Sequence, residues 1–247
     1  RFLRSSDGVE RLAEIPVRLL YPAARRFSVR EGDLFHTEAR FARYPGERFY
    51  GLGQHKHGLL DQRGCVLELQ QANSEVNIPV LFSSRGYAFL WHNPGVGRVE
   101  LAENQTRWVA DASRGIDYWI SAGDTWAALS RNYADATGHA PRLPHWATGF
   151  IQCKLRYKTQ DELLAVAREY RRRGLPLDCI VIDFFHWHRM GDFDFDPEAW
   201  PDPDAMIAEL REMGVELMIS VWPTFNPNSR HFDEMQRRGL MIGTRGG

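Results

Sequence analysis

The sequence is short of several things, and each shortage removes a class of function. Its 247 residues include only 3 cysteines. Cys65, Cys153 and Cys179 are too few and too scattered for a disulfide framework or a cysteine-rich zinc site. A reducing, cytoplasmic compartment is therefore expected. Neither sign of charge is in excess: Lys plus Arg total 31 against 32 for Asp plus Glu, a formal net charge of -1. The basic footprint of a general nucleic-acid binder is missing. No apolar run reaches the ~18–20 residues that cross a bilayer. No basic stretch leads into an apolar one, so no leader is expected. Gly51-Leu52-Gly53 has neither the third glycine nor the strand-to-helix setting of a dinucleotide site. The expected partners thus include no nucleic acid, no membrane and no cofactor.

What is present is ordinary in bulk and rich in rings. Hydrophobic residues make up 43% and charged residues 26%, as in a soluble globular protein of one or two domains. There are 8 tryptophans, a costly way to fill a core because a buried indole N–H wants a partner.

The first half reads as strands. Short apolar runs recur at Val66–Leu69, Ile78–Phe82, Tyr87–Trp91, Val99–Leu101, Arg107–Ala110 and Ile116–Ile120, with turn clusters such as Ser83-Ser84-Arg85-Gly86 and Asn93-Pro94-Gly95 between them. That rhythm predicts an antiparallel sandwich or barrel, with further strands in residues 1–48. At Asp124 the texture changes. Asp124 is placed to cap a helix through Trp126, Leu129 and Tyr133 that ends near Gly138, and Pro141 and Pro144 then mark a boundary.

From Trp146 onward strands alternate with helices. Ala147–Cys153 is a candidate strand. Thr159 and Glu162 have capping-box spacing ahead of a helix with Leu163, Val166, Ala167 and Tyr170 on one face, stopped by Gly174. Cys179–Phe185 is an almost continuous apolar run, as in a strand buried on both faces. Asp202-Pro203 opens a helix, Val215–Trp222 is a third strand, and a last helix carries Phe232 and Met235. Such alternation implies parallel strands with right-handed crossovers. Three units do not close a barrel of eight, so the segment is either a small three-layer α/β domain or the front of a larger barrel.

In parallel α/β folds, function sits at the C-terminal strand ends. Those ends carry Gln152, Lys154, Arg156 and Tyr157; then Asp183 with Phe184-Phe185-His186-Trp187-His188; then Ser220, Trp222 and Thr224. Asp183 interrupts Ile180-Val181-Ile182, where a carboxylate is costly without partners. It is either a structural group bonded to backbone or to Arg156, or a ligand-facing one. Trp187 and Trp222 near a carboxylate suit a sugar, whose apolar faces stack on rings; core packing is the plain alternative for each. Asp192-Phe193-Asp194-Phe195-Asp196 imitates a calcium loop, but Pro197 stands where the turn needs Gly, and a short strand or hairpin accounts for the alternation. The pairs His55/His57 and His186/His188 invite a metal-hydrolase reading, set against solvent-facing or substrate-facing histidines.

Taken together, some motifs resemble a known family. Phe49-Tyr50-Gly51-Leu52-Gly53-Gln54, Ile78-Pro79-Val80 and Ser84-Arg85-Gly86-Tyr87 are similar to the N-terminal β-sandwich of glycoside hydrolase family 31. Gly149-Phe150-Ile151-Gln152-Cys153 through Arg156-Tyr157 resembles that family's first barrel strand, with a flavour of its α-xylosidase branch. Pro176-Leu177-Asp178 to Asp183, Trp200-Pro201-Asp202-Pro203 and Val221-Trp222-Pro223 resemble the next two units. The resemblance implies a galactose-mutarotase-like sandwich over 1–122, a connecting helix and linker over 123–144, and the first three βα units of a truncated (β/α)8 barrel over 145–247. It implies a retaining, exo-acting α-glycosidase releasing terminal xylose or glucose, with a carbohydrate partner, no cofactor or metal, and a homo-oligomer as one possible state. Both catalytic carboxylates are then expected beyond Gly247, with none in this chain. The implied sugar contacts are Asp183, Trp222, Trp187 and, in the loop Gln71-Ala72-Asn73, Asn73. A non-catalytic carbohydrate-binding or regulatory protein is the main alternative.

Overall fold

A computed structural model describes residues 1–16, 19 and 22–242. The chain divides into two compact units, Arg1–Ala140 and Pro141–Gly247.

The first unit begins with a small hairpin, β1 (Phe2–Leu3) and β2 (Glu10–Leu12). Nine longer strands follow: β3 (Arg25–Glu31), β4 (Leu34–Ala42), β5 (Phe49–Gln54), β6 (Val66–Leu69), β7 (Val76–Ser83), β8 (Tyr87–Trp91), β9 (Gly97–Leu101), β10 (Gln105–Ser113) and β11 (Tyr118–Ala122). They form two antiparallel sheets, ordered β3-β4-β10-β9-β6 and β11-β8-β7-β5. Alternation along the strands sends one set of side chains from each sheet into a shared core. Phe41, Val99 and Trp108 come from the first sheet and Phe49, Leu81, Phe89 and Trp91 from the second. Phe89 stacks on Trp108 with ring centroids 4.6 Å apart.

The other face of the five-stranded sheet holds an ion ladder. Glu38, only 3% exposed, is gripped by Arg40 and Arg107, and Arg107 continues to Glu100. Burial opposes its charge, but the two guanidinium groups prevail and hold the Glu38 carboxyl down at about 2. Helix α1 (Trp126–Thr137) lies on the outer face of the four-stranded sheet, where Asn132 donates to Ser121 at 2.7 Å and Leu129 is buried. Its N-cap is Thr125, which accepts the Ala128 N–H; the Asp124 expected there pairs with Arg4 and Arg11 instead. Competition from two cations has moved the cap by one residue.

The second unit starts with a short 3-10 turn, His145–Thr148, so the strand expected from Ala147 shrinks to β12 (Ile151–Cys153). Then come α2 (Gln160–Arg172), β13 (Cys179–Ile182), α3 (Pro203–Glu212), β14 (Glu216–Ile219) and α4 (Phe232–Arg237). The three strands are parallel, in the order β12-β13-β14. Thr159 caps α2 by accepting the Glu162 N–H, as its spacing implies, while the Glu162 side chain accepts from Lys158 N–H rather than closing the box on the cap itself. Asp202 caps α3, with Pro203 next.

Ile180 and Ile182 share a core with Leu163 and Ala167 of α2 and with Met206 and Leu210 of α3. Both helices therefore cover the same face of the sheet. A three-layer domain, one of the two alternatives, would place helices on both faces, whereas α2 and α3 share one. On the opposite face Ile151 and Met218 flank the central strand and are 39% and 41% exposed.

Candidate functional site

Asp183 sits where β13 stops. Counting along the strand, Ile180 and Ile182 point to the helices, so Cys179, Val181 and Asp183 share the other face. The strand was expected to run on to Phe185. It ends earlier because the Asp183 carboxylate accepts the Phe184 N–H at 2.8 Å, and Phe185 then adopts φ 60, a left-handed turn costly for a bulky residue. Strain of this kind is tolerated when surrounding contacts over-determine it. Here His186 supplies one, donating from Nδ1 to the Asp183 carbonyl at 3.1 Å. Burial of His186 lowers its pKa and keeps the ring neutral.

The turn after Asp183 gathers several rings. Phe184 stacks on Trp222 with centroids 5.2 Å apart, Phe185 meets Trp187 and Trp222 at 5.8 and 6.0 Å, and Trp187 lies 6.3 Å from Trp222. Phe185 and Trp222 are exposed, whereas Trp187 is buried and backs them from beneath. Arg156, weighed as a partner of Asp183, lies over the Phe185 ring at 5.6 Å. At the end of β12, burial raises the pKa of Cys153, and the negative charge of Asp183 adds to it.

A clasp fixes this loop to the one after β14. Arg230 pairs with Asp194, its N–H donates to Asp192 at 2.8 Å, and Asn226 N–H donates to the Met190 carbonyl. Gly191 allows the close approach: a Cβ there would lie 3.0 Å from Phe225 and from Ser229 Oγ. The Asp192–Asp196 run is therefore an irregular loop, not the expected strand or hairpin. Its carboxylates accept hydrogen bonds from backbone N–H groups of His188, Glu198 and Arg230, and Asp194 also pairs with the Arg230 guanidinium.

The metal alternative finds no support among the described residues, where no cluster of three or more His, Cys, Asp or Glu is poised around a common point. His55 and His57 stack on each other and bond to the backbone at Leu52 and Leu59. Asn73 lies in the first unit, exposed on a turn closed by an Ala72–Glu75 bridge, with Ser74 at φ 66. So the structure brings Asp183, Trp187 and Trp222 together, and Asn73 belongs to a separate unit. Arg230 escaped the sequence reading because it lies 36 residues from Asp194 with no local pattern to link them.

Residues 140–247 match the family model described as the TIM-barrel domain of glycosyl hydrolases family 31. An uncharacterized family 31 glucosidase of Pseudescherichia vulneris is 45% identical over 97% of this chain and 46% of its own length. The chain belongs to glycoside hydrolase family 31. An α-xylosidase of Saccharolobus solfataricus is 39% identical to this family 31 chain, over 84% of it and 30% of the relative. A soil-metagenome family 31 α-xylosidase solved with xylose superposes with a TM-score of 0.89 at 50% identity, covering 92% of this chain and 34% of that one. The family 31 chain thus spans under half the length of the relatives it matches. Among its described residues no helix is long and apolar enough to cross a membrane.

Proposed function

We propose that the protein to which this chain belongs is a retaining, exo-acting α-glycosidase that removes a terminal α-linked xylose or glucose. In this reading the two antiparallel sheets are the family's sandwich, and β12 to α4 are the opening of its barrel. Retaining hydrolysis needs one carboxylate to attack the anomeric carbon and a second to protonate the leaving oxygen, ~5–5.5 Å apart. Protein groups and water suffice for both steps, so no cofactor is required. We place both carboxylates beyond Gly247. This chain then supplies the wall of the sugar site: Asp183 accepts hydrogen bonds from ring hydroxyls, Trp222 offers a stacking face, and Trp187 supports it.

The observation that carries the reading is Asp183 itself. One of its oxygens is fixed by the Phe184 N–H, and it ends the face of β13 turned away from α2 and α3, at the turn that carries exposed Phe185 against exposed Trp222. A purely structural aspartate would be enclosed by donors; among the described residues the only hydrogen bond to the Asp183 carboxylate comes from its own neighbour's N–H. The test is Asp183→Asn in the full-length polypeptide. A charged hydrogen bond to a hydroxyl contributes roughly 1.5–3 kcal/mol, so kcat/KM on nitrophenyl α-xyloside or α-glucoside should fall about ten- to a hundred-fold with Tm unchanged. Unchanged kinetics with a collapsed Tm would make Asp183 structural.

A further inference from the structure

The outer face of the four-stranded sheet holds an aromatic feature with no part in the reading above. Trp126, the first residue of α1, is 50% exposed. An indole carries a large apolar face that can stack on a ligand ring and a polar N–H that can bond to it. Its position is held by Tyr50 of β5, in a T-shaped contact with centroids 5.2 Å apart and planes at 83°. A contact of that shape occupies at most one face of the indole.

Two clefts share this ring as a wall. One, of about 310 Å³, runs toward Ser84, Asp124 and Thr125. The other, of about 430 Å³, runs past Tyr50 and Phe82 to Ser130. Both fall at the small end of ligand pockets. The polar groups are anchored but not exhausted. Ser84 Oγ accepts the Arg48 N–H at 2.9 Å and Thr125 Oγ1 accepts the Ala128 N–H at 3.1 Å, which leaves each hydroxyl proton to donate. Asp124 Oδ1 meets Arg4 and Arg11, while Oδ2 has no partner among the described residues.

The geometry points to a second carbohydrate site, in which a pyranose ring stacks on Trp126 and its hydroxyls bond to Ser84, Thr125 and Asp124. A flat apolar wall beside fixed donors and an acceptor matches a ring with C–H faces and hydroxyl edges. These polar groups need partners once water is displaced, and sugar hydroxyls, each both donor and acceptor, satisfy all three. The choice of sugar rests on the glycosidase reading, but the site needs no catalysis.

The experiment titrates the protein with α-xylosyl-(1→6)-glucose and with maltotriose, followed by NMR of the indole and backbone N–H groups. Saturable shifts at Trp126 and Thr125 are expected. Trp126→Ala should weaken that binding about ten-fold, Trp126→Phe should restore most of it, and Asp183→Asn should leave it intact. Binding indifferent to Trp126→Ala, or no saturable shift at Trp126 with either sugar, overturns the proposal. Should hydrolysis be absent from the full-length polypeptide while these shifts persist, the glycosidase reading falls and the second site stands.

Discussion

Arg11 and Arg85 exchange hydrogen bonds. The Arg11 guanidinium donates to the Arg85 carbonyl at 2.6 Å, and the Arg85 guanidinium donates back to the Arg11 carbonyl at 3.3 Å and to the Glu10 carbonyl at 2.6 Å. Arg85 also lies over the Tyr44 ring at 3.7 Å. This exchange ties the short hairpin of β1 and β2, too small to stand alone, to the turn between β7 and β8. Arg85→Ala should cost about 2 kcal/mol in urea unfolding and should expose the bonds after Arg1 and Arg4 to trypsin in the folded protein. Unaltered protection would show that the hairpin is held by its apolar contacts alone.

Gly149 has no room for a side chain. A Cβ there would lie 2.2 Å from the Asp178 carboxylate, which accepts the Phe150 N–H at 2.8 Å. Gly149→Ala should destabilise the second unit by about 2 kcal/mol. Because the clash and the hydrogen bond involve the same carboxylate, adding Asp178→Ala should cost less than its own single effect. A strictly additive double-mutant cycle would contradict this coupling.

Glu38 makes the first unit acid-sensitive. Its folded pKa, about 2, lies below the ordinary carboxylate value, so the stabilisation is complete above about pH 4.5 and drains away as pH falls toward 2. Glu38→Gln should remove that part of the pH dependence. At neutral pH it should cost about 3 kcal/mol, since Arg40 and Arg107 lose the charge that compensates them. Melting curves between pH 2 and 7 on both proteins check this.

Among the described residues the parallel sheet has two free edges, β12 and β14, and its face away from α2 and α3 shows Ile151 and Met218 to solvent. Unpaired apolar edges template association. The 247-residue chain on its own should self-associate in light scattering as concentration rises, and Met218→Lys with Ile151→Lys should suppress this. The same chain should release no nitrophenol from α-xyloside or α-glucoside, because on our reading neither catalytic carboxylate belongs to it.

Where periodicity and burial were strong, the sequence was a good guide. Tyr87–Trp91 and Val66–Leu69 are strands with the expected limits, and Thr159, Asp202 and Gly174 start or stop helices where their chemistry says they should. Local signals failed where distant partners intervened. Asp124 looks like a cap until Arg4 and Arg11 claim it, and Asp192–Asp196 looks like a strand until Arg230 folds it into a loop. At the site, Asp183 was legible because a charge in an apolar run is anomalous. Arg156 over Phe185 and the burial of Trp187 depend on the backward turn at Phe185, which nothing in the residue order announces.

The clasp of Arg230 on Asp192 and Asp194 has a consequence for timing. Trp222 and Asp183 stand at the roots of two loops that share hydrogen bonds and a close approach at Gly191, so opening one breaks the contacts that hold the other. Amide hydrogens of Arg230 and Asn226 on one loop, and of Asp192 on the other, should then exchange with solvent in a single event, at one common rate. A visiting sugar would meet a wall that is either wholly assembled or wholly undone.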